Sequence, residues 1–336
     1  MERDEIIVRN AVMHILNTNN NQLEFSDTLL ELSPDINDFI RNHIFKIINS
    51  DEMKQCVFIK EESEVYNAIN GFIERDLVMV SQQIAYKLYE IMYSNINILP
   101  ADLFIVTFQV ESMIHMAILK MNYKESYIHL IKKGQQGISN SITKQKTTLP
   151  SLSTKLTEAA VINLHDYTLK VIEKKYEING VKTNYFTSMF LNCHSQLSAK
   201  SKLNIVSKAI DQINRKYYEE DFQKKMEAKS IIYQENLENG MIRVSEISEQ
   251  LFGDNLDMQK EFTEKIEKYN IQEDEIQAQK RTTIQKFEKQ FLTTDQGIEI
   301  NIPMEQYLEA RNISVTTNSD GTIEVTIKNI NNLNVK

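Results

Sequence analysis

With 336 residues, 41% of them apolar and 25% charged, the chain can bury a sizeable core and is long enough for two domains. Eight glycines and four prolines exclude collagen-like and long disordered stretches. The two distant cysteines, Cys56 and Cys193, offer neither a disulfide framework nor a paired zinc motif, as expected of a reducing cytoplasm, and the formal charge of −9 excludes a chain that is polycationic throughout.

The opening residues are charged and lack the apolar stretch of a secretory leader. The longest apolar run, Leu103–Leu119, is broken by Gln109, Glu111 and His115, so neither export nor a membrane span is expected. Ile6–Leu16 is a β-rich run, and Leu23–Leu32 is a second strand candidate across the Asn-rich turn at Asn17–Asn21. Ser33-Pro34 starts a helix, Ser as N-cap and Pro at the first helical position. Ile36, Phe39, Ile40, Ile44, Ile47 and Ile48 continue it with helical spacing. A short strand at Cys56–Ile59 and a helix near Glu62–Ile73 come next, and Asp76 caps a longer helix with Leu77, Val80, Ile84, Leu88 and Ile91 along one side.

Leu103–Val110 and Ser112–Asn122 are apolar on both faces, which predicts central strands of an antiparallel sheet. Ser126–Thr157 contains no acidic residue, five lysines and many Ser, Thr, Asn, Gln and Gly residues, and reads as a linker or long loop. Val161–Leu164 and Thr168–Ile172 are further strand material. From about Tyr185 the pattern is helical: Leu203, Val206, Ile210 and Ile213 share a face, with Lys208 and Arg215 opposite. A charged helix is expected from Tyr217 to Glu238, stopping at Asn239-Gly240, then one capped by Ser245 and ending at Gly253, then Met258–Tyr269. The tail returns to strands at Gln285–Leu292 and Ile298–Ile302, and closes with a hairpin in which Ile313 and Val315 face Ile323, Val325 and Ile327 across Asn318–Gly321. The expected class is α+β. A mixed α/β domain with an antiparallel sheet occupies 1–150, and a helix-rich domain ending in a β-hairpin occupies 151–336, the two joined near residues 140–180.

Catalytic patterns do not emerge. No glycine-rich phosphate loop is present, since Gly134 and Gly137 beside Lys132 and Lys133 lack a third glycine. The six histidines form no HExxH, so no metal or cofactor is expected. Cys193 beside His194 is better read as a small buried residue than as a nucleophile, and the carboxylate runs at Glu61-Glu62, Glu219-Asp221 and Glu273-Glu275 as solvated faces. Charge is the informative feature. Between Ser126 and Lys216 lie fourteen basic and five acidic residues, while both flanks are acidic. Such asymmetry points to a polyanion, unless folding scatters the cations. Candidate phosphate contacts are Lys132, Lys133, Lys144, Lys146 and Lys155 in the acid-free stretch, with Lys200, Lys202, Lys208, Arg215 and Lys216 following. Arginine is scarce and aromatics are not interleaved, which favours sequence-neutral contact with the duplex backbone over base readout or single-strand stacking.

Three stretches resemble the nucleoid-associated bacterial protein family of the NdpA/YejK type: AVMHILN with LEFSDTLLELSPDINDFIRNHIFKII near the start, NYFTSMFLNCHSQLSAKSKLNIVSKAIDQI in the middle, and ISVTTNSDGTIEVTIKNINNL at the end. The likeness spans essentially the whole chain as a pattern of apolar positions. It implies a cytoplasmic, non-enzymatic protein found with the nucleoid, and carries over no binding residue. Two functions follow as expectations: sequence-tolerant DNA binding, or an adaptor that docks onto a DNA-bound enzyme with little DNA affinity of its own.

Overall fold

The apolar run at the start of the chain folds as strand β1 (Ile6–Asn17), and a bulge at Arg9 resets which of its residues face which side. In this computed structural model, which describes residues 2–134, 137–219, 221–278, 281–308 and 312–332, the chain divides into two units, the first ending at Leu197 and the second beginning at Ser198. The boundary expected at residue 150 therefore lies inside the first unit.

In the first unit, β2 (Gln22–Glu24) and helix α1 (Pro34–Ile48) follow β1. Next come β3 (Lys54–Phe58), α2 (Glu64–Ile69), α3 (Leu77–Ser94), β4 (Ala101–Val110) and β5 (Met113–Asn122). The unit continues with β6 (Lys124–Gly134), β7 (Gly137–Thr148), β8 (Glu158–Asn163), β9 (Leu169–Ile172), β10 (Tyr176–Ile178) and β11 (Val181–Thr183), then a π-helical turn at Phe186–Leu191 and β12 (Cys193–Ser195). One antiparallel sheet runs in the order β12-β3-β9-β8-β5-β4-β1-β2. The burial of most of β4 and β5 follows from their apolar residues on both faces. Leu103, Ile105 and Ile118 pack with Leu77, Ile84 and Leu88 of α3, while Phe104, Val106 and Leu119 pack with Ile40, Ile44 and Ile47 of α1. Burying each such side chain is worth roughly 1.5–3 kcal/mol, so the sheet and its two helical layers are the main store of stability. The β1 bulge matters because side chains alternate. Ile6 and Val8 face α1, and the extra residue at Arg9 lets Ala11 keep that side while Val12 and Leu16 face α3. The Arg9 guanidinium is clamped by Glu74 at 2.7 and 2.8 Å and donates to Gln109 at 3.0 Å.

Ser33 caps α1 as expected, its hydroxyl accepting from the Ile36 N–H. Two expectations for this unit fail. Leu23–Leu32 pairs only over β2, because Phe25 packs on the α3 side while Leu30 and Leu32 pack on the α1 side, so the chain rounds the sheet edge there. Ser126–Thr157 is mostly not a linker: β6 and β7 make an antiparallel hairpin inserted between β5 and β8, which pair directly with Lys120 opposite Glu158.

The second unit starts with α4 (Ala199–Tyr218), capped by the Ser198 hydroxyl at 3.2 Å from the Ser201 nitrogen. Glu219 ends it in the left-handed region. Hence α5 (Phe222–Asn239) begins after Tyr217 and Tyr218, which belong to α4, and it ends at Gly240 with φ +68. After β13 (Ile242–Arg243) come α6 (Val244–Phe252) and α7 (Leu256–Glu267), and Ser245 sits inside α6 rather than capping it. Beyond β14 (Glu275–Ile276), α8 (Arg281–Glu288) occupies half of the strand expected at Gln285–Leu292, because Ile284 and Phe287, three residues apart, are buried together as a helix requires. β15 (Lys289–Thr293), β16 (Glu299–Pro303) and α9 (Met304–Leu308) precede the terminal hairpin of β17 (Ile313–Thr317) and β18 (Ile323–Ile327). That hairpin has the expected pairs Ile313–Ile327 and Val315–Val325. The α+β class holds: a sheet-centred first half, then a helix-rich half closed by a β-hairpin.

Candidate nucleic-acid interface

The candidate cations fall on two structures, one in each unit. In the first unit, Lys132 and Lys133 lie on β6 near the hairpin turn and Lys144 and Lys146 on β7. The pairing Lys132–Ser139, Leu130–Ser141 and Ile128–Thr143 puts Lys132 and three hydroxyls on one face. The opposite face takes Lys133, Ile138, Ile131, Ile142, Tyr127 and Lys144. Every residue from Tyr127 to Lys133 is exposed, so the hairpin meets solvent on both faces. Lys144 is held by Glu125 at 2.5 Å, and Lys155, beyond the hairpin, pairs with Glu52. Among the described residues, Lys132, Lys133 and Lys146 have no carboxylate within ion-pair distance.

In the second unit the cations sit on α4. Spacing by four sets Lys200, Asn204, Lys208, Gln212 and Lys216 along a strip that winds round the exposed side of the helix, with Asn204, Lys208 and Gln212 opposite the buried Leu203, Val206, Ile210 and Ile213. The strip is roughly 24 Å long at ~1.5 Å per residue. Asn204, Lys208 and Gln212 line a shallow cleft of about 250 Å³ with Lys265, Lys268 and Tyr269, and an adjoining cleft of about 400 Å³ gathers Lys216, Lys260, Lys265 and Lys268 around Glu261 and Glu264. Lys286 of α8 reaches the Asn204 amide at 3.1 Å, and burial together with neighbouring Lys200 lowers its pKa. Arg215 lies beside Lys216 on the exposed side. Acids engage cations of the set. Lys202 pairs with Asp274 at 2.8 Å, and Lys216 pairs with Glu261 at 2.5 Å, a hydrogen bond that raises the lysine pKa and lowers that of the carboxylate. Lys208 has no carboxylate within ion-pair distance among the described residues.

The fold thus splits the basic stretch of the sequence and adds cations that the sequence concealed. Lys260, Lys265 and Lys268 lie in α7 and at its end, where Asp257, Glu261, Glu264 and Glu267 cancel them in any running charge count. Only their spacing on one helix, set against a second basic helix, marks them.

Other chemistry finds little support. Among the described residues no group of three His, Cys, Asp or Glu side chains could hold a metal ion, and no helix is long and apolar enough to cross a membrane. Cys193 and His194 are adjacent on β12, so their side chains leave opposite faces of the strand. The buried Cys193 thiol is pushed up by its hydrogen bond with Cys56 and by desolvation, which works against a thiolate nucleophile. The family model of the nucleoid-associated protein YejK matches residues 12–334 of the chain. No curated protein matches it.

Proposed function

Because the chain belongs to the family of the nucleoid-associated protein YejK, we propose that it grips the phosphate backbone of duplex DNA through lysines and hydroxyls, without reading base edges. The family is nucleoid-associated, which places its work in the bacterial cytoplasm where the chromosome lies and favours a non-catalytic role. The observation that carries the direct-contact reading is the hairpin. Its face with Lys132, Ser139, Ser141 and Thr143 presents a cation and hydroxyl donors without a carboxylate, the chemistry that positions proteins on phosphates. A two-stranded ribbon is also narrow enough to enter a major groove about 12 Å wide. The α4 strip, with Lys208 at its middle, supplies a second set of candidate contacts.

An adaptor that docks onto a DNA-bound protein is the competing reading. It is favoured by candidate lysines already committed to carboxylates, Lys144, Lys155, Lys202 and Lys216 among them. Titration of a fluorescent duplex across a salt series separates the two. Direct contact predicts affinity that falls with salt by a log–log slope of about −0.9 per phosphate neutralised. Lys132→Gln with Lys146→Gln reduces the slope by about 2, while Lys144→Gln, whose lysine is spent on Glu125, changes it less. Absence of duplex binding at low salt overturns direct contact and leaves the adaptor.

A further inference from the structure

Among the described residues, the β6–β7 hairpin is a sheet of two strands with both outer edges unpaired. One face is apolar and exposed, with Ile142 at 76%, Ile138 and Tyr127 at 70% and Ile131 at 59% of full exposure. Isolated two-stranded ribbons are marginal in water, whereas sheets of three or more strands with an apolar face stand alone. Unpaired edges of this kind recruit another strand.

The sequence of β6 specifies which strand. We infer that two copies of the chain associate by antiparallel pairing of their β6 edges about a two-fold axis at His129, joining the two hairpins into one four-stranded ribbon. An isologous contact of this kind requires a strand that complements its own reverse. About His129, β6 does. Glu125, which holds Lys144 of its own hairpin, falls opposite the partner's Lys133 and has a second carboxylate oxygen to offer it. Tyr127 falls opposite the partner's Ile131, and Ile128 opposite the partner's Leu130, and each pair occurs twice. Opposed charges and aromatic–aliphatic pairs are the contacts that stabilise neighbouring strands. A slip of one residue matches less well: it keeps Glu125 opposite the partner's Lys132 and Tyr127 opposite the partner's Leu130, but it opposes Lys124 to the partner's Lys133 and sets Ser126 against the partner's Ile131 and Ile128 against the partner's His129. The β7 edge lacks the match, because β7 carries Lys144 and Lys146 and no acidic residue. The ribbon formed at β6 places the exposed isoleucines of the two hairpins on one continuous face.

This association needs no nucleic acid, so its test is independent of DNA binding. Sedimentation of the full chain in nucleic-acid-free buffer is expected to show a monomer–dimer equilibrium. Glu125→Lys and Lys133→Glu each replace two attractive pairs by two repulsive ones and weaken association by about tenfold or more, and the combined charge swap restores it. Directly opposed residues in antiparallel strands have Cα atoms roughly 4.5–5.5 Å apart, within disulfide range. His129→Cys therefore cross-links two copies on mild oxidation, while Asn140→Cys on β7 does not; the native cysteines are buried. A chain that stays monomeric, a charge swap that fails to restore association, or cross-linking through Asn140→Cys in place of His129→Cys overturns the assignment.

Discussion

His14 and His43 show how much a single buried ring can weigh. His14 is fully buried on β1; its Nδ1 accepts from the Ser26 N–H at 3.2 Å, so Nε2 carries the proton toward the Ser81 hydroxyl at 2.9 Å, and Ser81 in turn donates to the Val78 carbonyl. A second ring proton would set one N–H against another. Burial lowers the pKa of His14 to about 4. His43, buried on α1 against Phe39, is lowered to about 4 by burial and then by Lys46, against a weaker upward pull from a backbone hydrogen bond at Pro150. In the unfolded chain both rings titrate near 6.5. Between those values the unfolded state binds more protons, so stability is fully present above pH ~6.5 and falls as pH drops toward 4. At ~1.4 kcal/mol per unit, each ring contributes at most about 3 kcal/mol to that loss. Urea midpoints measured from pH 7 to 5 should therefore decline, and a His14→Gln, His43→Gln variant, less stable at pH 7, should decline less. A wild-type midpoint that is flat over this window contradicts the assignment. The carboxylate of Glu74, held low by its hydrogen bond with Arg9, takes effect only at lower pH.

At the scale of elements, the hairpin is an insertion. β5 and β8 pair directly with each other, and the segment that returns from the hairpin is anchored by Leu149 and Leu156 in the α1-side core. Replacing residues 125–147 with a short Gly-Ser link therefore keeps the sheet, and the cost or gain in loop closure stays below about 1 kcal/mol. The expected outcome is an unchanged urea midpoint with loss of self-association and weaker duplex binding; a collapsed midpoint would make the hairpin part of the folding core. The same independence explains why the hairpin was not legible in the sequence. Strands such as β4 and β5 announce themselves through residues that must be buried, and helices such as α1 through a cap and an apolar stripe. β6 and β7 bury neither face, so Ser, Thr, Asn and Gln alternate with isoleucine without a core to explain them, and their composition matches that of a loop. The β-branched content on either side of Gly134 and Gly137, with Ile128 and Ile131 before them and Ile138, Ile142 and Thr143 after, was the usable signal. In the tail, Gln285–Leu292 misled for a different reason: a short segment with apolar residues only at Phe287, Phe291 and Leu292 fits strand or helix, and only the joint burial of Ile284 and Phe287 decides.

For the whole molecule, charge along the sequence and charge on the surface are different quantities. The basic stretch from Ser126 to Lys216 crosses the boundary at Leu197, so its lysines divide between two units, and α7 contributes cations from an acidic flank. The candidate site was legible as an excess of lysine and, at Lys208 and Arg215, as the polar side of a helix, but not as a hairpin face. The total charge of −9 remains, and it repels a duplex at long range. Its reach depends on salt: the screening length is about 30 Å at 0.01 M and about 8 Å at 0.15 M. At low ionic strength an approaching duplex meets the field of the whole acidic chain, and at physiological strength only the nearby lysines of the hairpin or α4. The association rate with a duplex is therefore expected to rise between 0.01 and 0.1 M salt, while dissociation accelerates more steeply, since every phosphate that parts from a lysine takes counterions back and the equilibrium affinity still falls. Stopped-flow anisotropy resolves the two rates. An association rate that falls steadily over the same range means that the cationic hairpin dominates the field even at long distance, and that the acidic flanks do not govern the approach to DNA.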